Sequence, residues 1–257
     1  MFVLMEYFVR KESVVRKIWG KSDTVLFIFA GAAAEFALNK AVDWLYFTGR
    51  LPADPIGRLF STVTYARRIV FSEKAEAQRA IEKITSIHKG VEQSRGSNIP
   101  DWAYRDVLFM LIHYSIASYE LLEQKLTDAE MEEVFNVFLR VGSGMGLRGL
   151  PGTYDEWLTM RKSHLDSDLE KSKFTVDLFR QYEKHLGSFR YKILIEAQKM
   201  VVPAQVAQLV GFGSVNWLSP AVPLYKLTRV LQLDKLVKTF LLPRSYQKQI
   251  RDLDVVT

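Results

Sequence analysis

Val107-Leu108-Phe109-Met110-Leu111-Ile112, followed by His113 and Tyr114, lies inside a stretch from Trp102 to about Lys125 that contains neither glycine nor proline. Apolar residues this dense leave little polar face for water, so the stretch predicts a central helix buried on all sides. Asn98-Ile99-Pro100 separates it from the segment before. Working outward, Asp54-Pro55 places a capping side chain and a first-turn proline at the start of a helix running to about Val70. Ser72 is expected to cap the next, through about Val91. Thr127 with Glu130 and Thr153 with Glu156 fit the capping box and open two more. The most hydrophobic run, Thr24 to Leu38, holds Glu35 and is too short to cross a bilayer, so it reads as a buried helix.

Alternating strand patterns with hairpin turns are hard to find. The fold class is all-α. With 257 residues, 48% of them apolar, the chain can bury a large core, and a single domain over 1–257 is expected. Pro203, Gly211, Gly213, Pro220 and Pro223 interrupt the pattern before amphipathic helices expected at Lys226 to Leu242 and Ser245 to Asp252. That region reads equally as a lid, a membrane-facing edge, or short packed helices broken by proline. The start, Met1 to Val9, lacks the basic region and small-residue site of a signal peptide. A cytoplasmic protein is expected, with peripheral membrane association open.

The chain has no cysteine, which removes disulfides, thiolate zinc sites, iron–sulfur clusters and thiolate-ligated heme. Lys and Arg number 35 against 29 Asp and Glu, for a net charge of +6. The excess is spread thinly and aromatics do not interleave with it, so no nucleic acid partner is expected.

His88 falls in line with Ala77, Ile81, Ile84 and Val91 at spacings of three and four, and its ring therefore points inward. On the preceding helix Arg58 and Thr62 share a face that Tyr65 and Ile69 continue. A neutral imidazole in an apolar slot, with a guanidinium and a hydroxyl on an adjacent helix, is what a heme pocket requires. Each residue also has a plainer reading: His88 as core packing, Arg58 paired with Asp54 or Asp43, Thr62 bonded back to its own helix. His113, in the apolar central helix, needs a partner, either a backbone carbonyl, a group around a pocket, or iron itself. His164 and His185 lie among charges and read as solvated.

The string Gly142, Gly144, Gly146 follows a helix and lacks dinucleotide-loop spacing; with Gly149 and Gly152 it reads as a helix end and connection before Thr153. No Glu-x-x-His, H-E-x-x-H, G-x-S-x-G or P-loop string occurs. Heme is the cofactor that survives this elimination.

Several strings together resemble the MpaB-like and rubber oxygenase (latex-clearing protein) family of heme proteins. They are Ser13-Val14-Val15-Arg16-Lys17-Ile18-Trp19-Gly20, Asp54-Pro55-Ile56-Gly57-Arg58 with Thr62, Ile87-His88-Lys89-Gly90-Val91, and His113 through Tyr119-Glu120. Weaker similarity continues through Tyr154-Asp155-Glu156-Trp157 and Leu241-Leu242-Pro243-Arg244. The resemblance implies a globin-related multi-helix bundle around a pocket for heme b (iron protoporphyrin IX), with His88 as the iron ligand. It implies Arg58 and Thr62 as catalytic pocket residues, with Tyr65, Ile84 and His113 around the cofactor. Rubber oxygenases carry a distal lysine where Ser61 stands here, so lysine ligation is not expected. The family's His-Pro pair is replaced by Asn39-Lys40, and Glu35 and Asp43 are the candidates for its glutamate base.

The implied function is a heme-dependent oxygenase that acts with dioxygen on an apolar substrate such as an isoprenoid, by oxidative cleavage of a carbon–carbon double bond. The alternatives are a non-catalytic helical protein that binds a lipid or a partner, and a heme protein with a sensing or peroxidase role.

Overall fold

In the computed structural model, which describes residues 6–230 and 254, helices α1 (Val14–Trp19) and α2 (Ser22–Phe36) enter the core at once. Ser13 caps α1 by accepting the Val15 N–H, and Val15, Ile18 and Trp19 are fully buried. Helix α2 lies along α7 (Asp101–Leu122), and this pair forms the centre of the molecule. Their contact needs Gly31: a Cβ there would stand 2.3 Å from the Tyr114 ring. Among the described residues there is no strand, only two isolated bridges, Tyr7 with Glu73 and Asn39 with Leu169. The chain is all-α.

Two short helices, α3 (Asp43–Phe47) and α4 (Arg50–Ala53), lead to α5 (Pro55–Phe71) and α6 (Lys74–Arg95), which pack against each other. The Asp54 side chain accepts the Gly57 N–H at 2.8 Å and Pro55 occupies the first turn, as the Asp-Pro pair predicts. Ser72 is not a cap for α6. It closes α5 by donating its N–H to the Arg68 carbonyl, and α6 starts after Glu73 and runs past Val91 to Arg95. Nor is α7 buried all round, since Val107 is 37% exposed near its start.

Helices α8 (Asp128–Gly144), α9 (Tyr154–Ser167) and α10 (Lys173–Val201) complete the shell around α2 and α7, with α10 broken at Gly187 (φ +73°). The Thr127–Glu130 capping box is reciprocal. At α9 only half of the expected box forms: Thr153 accepts the Glu156 N–H, but the Glu156 carboxylate takes the Gly152 N–H at 2.7 Å. The glycine string lies in the last turn of α8 and the connection that follows it. Helices α11 (Ala204–Val210) and α12 (Ala221–Val230) follow. The remainder of the expected 226–242 helix, and all of 245–252, lie outside the described residues. Among those described, no helix is long and apolar enough to cross a membrane.

Candidate functional site

The inward face of α6 carries Ala77 and Ile81, both buried, then Ile84 and His88, both half-buried. Facing it from α5 are Arg58 and Thr62, where one turn of helix brings the Arg58 guanidinium within 3.0 Å of the Thr62 hydroxyl. Thr62 also donates to the Arg58 carbonyl at 3.3 Å, the back-bond that its plainer reading predicts. Arg58 has no carboxylate partner among the described residues. Asp54 caps α5, and Asp43 is taken by Arg95 at 2.6 Å. Burial holds the Arg58 guanidinium below its ordinary range, with the Arg50 charge adding to the shift and Tyr65 opposing it.

The His88 ring leans on Tyr104 of α7, ring centroids 5.1 Å apart at a tilt of 59°. Tyr104 in turn donates to Glu92 at 3.1 Å. Burial and then the Arg58 charge push the imidazole down to about 4, against the weaker pull of Glu92, so the ring is neutral at physiological pH. Its Nδ1 is buried without a hydrogen-bond partner. An orphaned nitrogen on a neutral ring, beside a desolvated cation without an anion among the described residues, is a donor set open to an anionic metal chelate. A groove of about 980 Å³ between Tyr7–Glu12 and α8 contains none of these residues.

His113 stands elsewhere. It projects from α7 beside Tyr114, and the charges that reach it are Arg161 and Glu35 rather than Arg58. Burial first, then Arg161, lowers it to about 4, and its Nε2 is buried without a partner.

A second centre was not anticipated from the residue pattern. Glu35, fully buried in α2, is gripped through both oxygens by Arg161 of α9. It also accepts the Tyr114 hydroxyl at 2.8 Å and meets His164 Nε2 at 2.8 Å. On the other side of the imidazole, Nδ1 lies 2.8 Å from Asp106 Oδ2 and 3.6 Å from Asp168 Oδ2. Asn39 binds the same Asp106 oxygen at 2.9 Å.

The charges here hold each other in place. Burial disfavours the Glu35 carboxylate, yet Arg161 and His164 overcome this and drive it far below the usual range. Burial likewise opposes charge on His164, but Asp106 and Glu35 raise it to about 9. Burial and the neighbouring Asp106 raise Asp168.

His164 is therefore not solvated, as its charged surroundings predict, but 2% exposed between carboxylates. Asp166 does face solvent, paired with Lys162. The signal that points to this centre is Glu35 itself: a carboxylate inside an apolar run requires a buried cation, and Arg161 and His164 are one helical turn apart.

No curated protein and no solved structure matches the chain. A family model described as ER-bound oxygenase mpaB/B'/Rubber oxygenase, catalytic domain, matches residues 16–250. That span takes in α2 and α5 to α10 whole, and with them both centres. The chain belongs to the mpaB/rubber oxygenase catalytic domain family.

Proposed function

We propose that the protein is a heme b-dependent oxygenase that acts with dioxygen on an apolar substrate such as an isoprenoid, by oxidative cleavage of a carbon–carbon double bond. The observation that carries this reading is His88: a neutral, half-buried imidazole whose Nδ1 has no hydrogen-bond partner, next to an Arg58 with no carboxylate partner, among the described residues. Membership of an oxygenase family supports the reaction class. The absence of cysteine removes thiolate ligation and leaves ligands such as His, carboxylate or Tyr for the iron.

In this reading His88 would hold the heme iron and Arg58 would meet an anionic group of the cofactor, with Thr62 and Tyr65 beside it on α5 and Ile84 one turn before His88 on α6. Heme, when bound, supplies the activation of dioxygen. The chain's own contributions follow from its geometry. Burial and Arg58 keep His88 unprotonated, so a ring nitrogen lone pair is free for a metal at neutral pH. Tyr104 restrains the ring, and Glu92 restrains Tyr104. Arg58 is held on α5 by its bond to Thr62, which leaves its remaining N–H groups for an anion. His113, set beside Arg161 and Glu35, is assigned to the surroundings rather than to the iron.

The test is hemin-reconstituted protein supplied with an apolar alkene and followed by oxygen uptake. Uptake that depends on both hemin and alkene, and drops with Arg58→Met, supports the reading. Hemin binding without uptake would leave a sensor or carrier.

A further inference from the structure

We propose that Asp106, His164 and Asp168 form a second site, one that binds a divalent first-row transition cation. It is separate from the His88 pocket and independent of the heme reading. The three donor atoms lie within 4.8 Å of one another, and the ligating atoms are one imidazole nitrogen and two carboxylate oxygens. This set suits Mn, Fe, Co or Zn better than Ca or Mg.

Two observations point to an ion rather than to a salt bridge alone. First, Nδ1 of His164 is 2% exposed and pairs with Asp106 Oδ2 at 2.8 Å, yet the oxygen lies outside regular hydrogen-bond geometry. The oxygen stands off the line of the ring nitrogen. Two ligands at about 2.1 Å from one cation, at right angles, stand roughly 3 Å apart, and a ring nitrogen aimed past the oxygen meets that arrangement once a cation displaces its proton.

Second, the other ring nitrogen is already anchored. Nε2 meets Glu35 at 2.8 Å, and Glu35 is fixed by Arg161 and Tyr114. A carboxylate behind a histidine sets its tautomer and orientation when the far nitrogen binds metal. Asn39 also fixes Asp106, donating at 2.9 Å to the oxygen that faces His164.

The buried carboxylates Glu35 and Asp106 face Arg161 and His164, with Asp168 and Lys40 toward the exposed rim. A cation entering between Asp106 and Asp168 takes the place of a proton on Nδ1.

Chain geometry delivers the third ligand. Asp168 ends α9 one turn beyond His164, and the Lys40 N–H to Asp168 carbonyl bond (2.9 Å) and Glu170 N–H to Leu38 carbonyl bond (2.8 Å) lace this end onto the end of α2. Asp168 is 26% exposed and is the side from which an ion enters.

The test is Co²⁺ added to the full chain after treatment with chelator, without hemin. Expected are one ion per chain, a visible absorption band from mixed nitrogen and oxygen ligands, and binding on the order of tenfold or more weaker in Asp168→Asn and Asp106→Asn. His88→Ala should bind Co²⁺ as the parent does, which separates this site from the heme pocket. Absence of saturable Co²⁺ binding to the parent chain overturns the proposal. So does undiminished binding by Asp168→Asn with parent-like far-UV dichroism. Should Asp106→Asn fail to fold, the parent band and the rim variant decide alone.

Discussion

Arg161 closes both guanidinium nitrogens on the two oxygens of Glu35, joining α9 to α2 through a pair in which neither side chain exceeds 5% exposure. Removing one member strands the other in the core. Glu35→Ala should therefore cost about 3–5 kcal/mol, read from the urea midpoint, because Arg161 loses its counter-charge. Glu35→Ala with Arg161→Met should recover a large share of that loss. Equal costs for the single and the double variant would contradict the pairing.

Gly31 tests the same centre from the backbone side. Gly31→Ala places a methyl 2.3 Å from the Tyr114 ring, and Tyr114 is fully buried with its hydroxyl on Glu35. The ring must shift, at about 1–3 kcal/mol. Near-UV dichroism and thermal melting should both change; an unaltered melting temperature would contradict the close approach of α2 and α7 at Gly31.

Local signals in the chain are the ones that translate directly into structure. Asp54-Pro55 and the Thr127–Glu130 box act within three residues, so their helices begin where the residues say. Ser72 misleads because a serine between two helices serves either end, and here its N–H closes α5. Thr153 caps α9 as expected, while Glu156 finds a closer donor in Gly152.

The inward turn of His88 and the shared face of Arg58 and Thr62 are also legible from helical period alone. The His164 centre is not. Its partners come from helices far apart in the chain, with Glu35 separated from it by 129 positions, and charged neighbours on α9 suggest a wet surface. Only the tertiary packing of α2, α7 and α9 selects which of those charges turn inward.

The capping difference carries its own prediction. Thr127→Ala should destabilise by about 1 kcal/mol, since it removes the hydroxyl that accepts the Glu130 N–H, while the Thr127 N–H keeps its bond to the Glu130 carboxylate. Glu130→Ala should share part of that cost. Glu156→Ala should instead free the Gly152 N–H and leave the Thr153 cap intact. Hydrogen exchange at the Thr127 and Gly152 amides distinguishes the two.

His113 predicts a pH dependence. Its ordinary value of 6.5 falls to about 4 in the folded chain, so between these values the unfolded chain takes up a proton that the folded chain refuses. Stability contributed by the neutral ring is whole above 6.5 and is lost as pH falls toward 4. The loss is about 2 kcal/mol after allowance for the ring's partial exposure. His113→Gln should flatten this part of the stability profile; the same slope in parent and variant would assign the acid sensitivity to other groups.

The most direct measurement is the visible spectrum of the purified protein titrated with hemin, oxidised and then reduced, in parallel with His88→Ala. The account predicts a saturable Soret band at one hemin per chain that shifts on reduction and is lost in His88→Ala while His113→Ala retains it. A chain that binds no hemin in either redox state, or a His88→Ala variant with the parent's Soret band, would contradict the assignment of His88 to the iron.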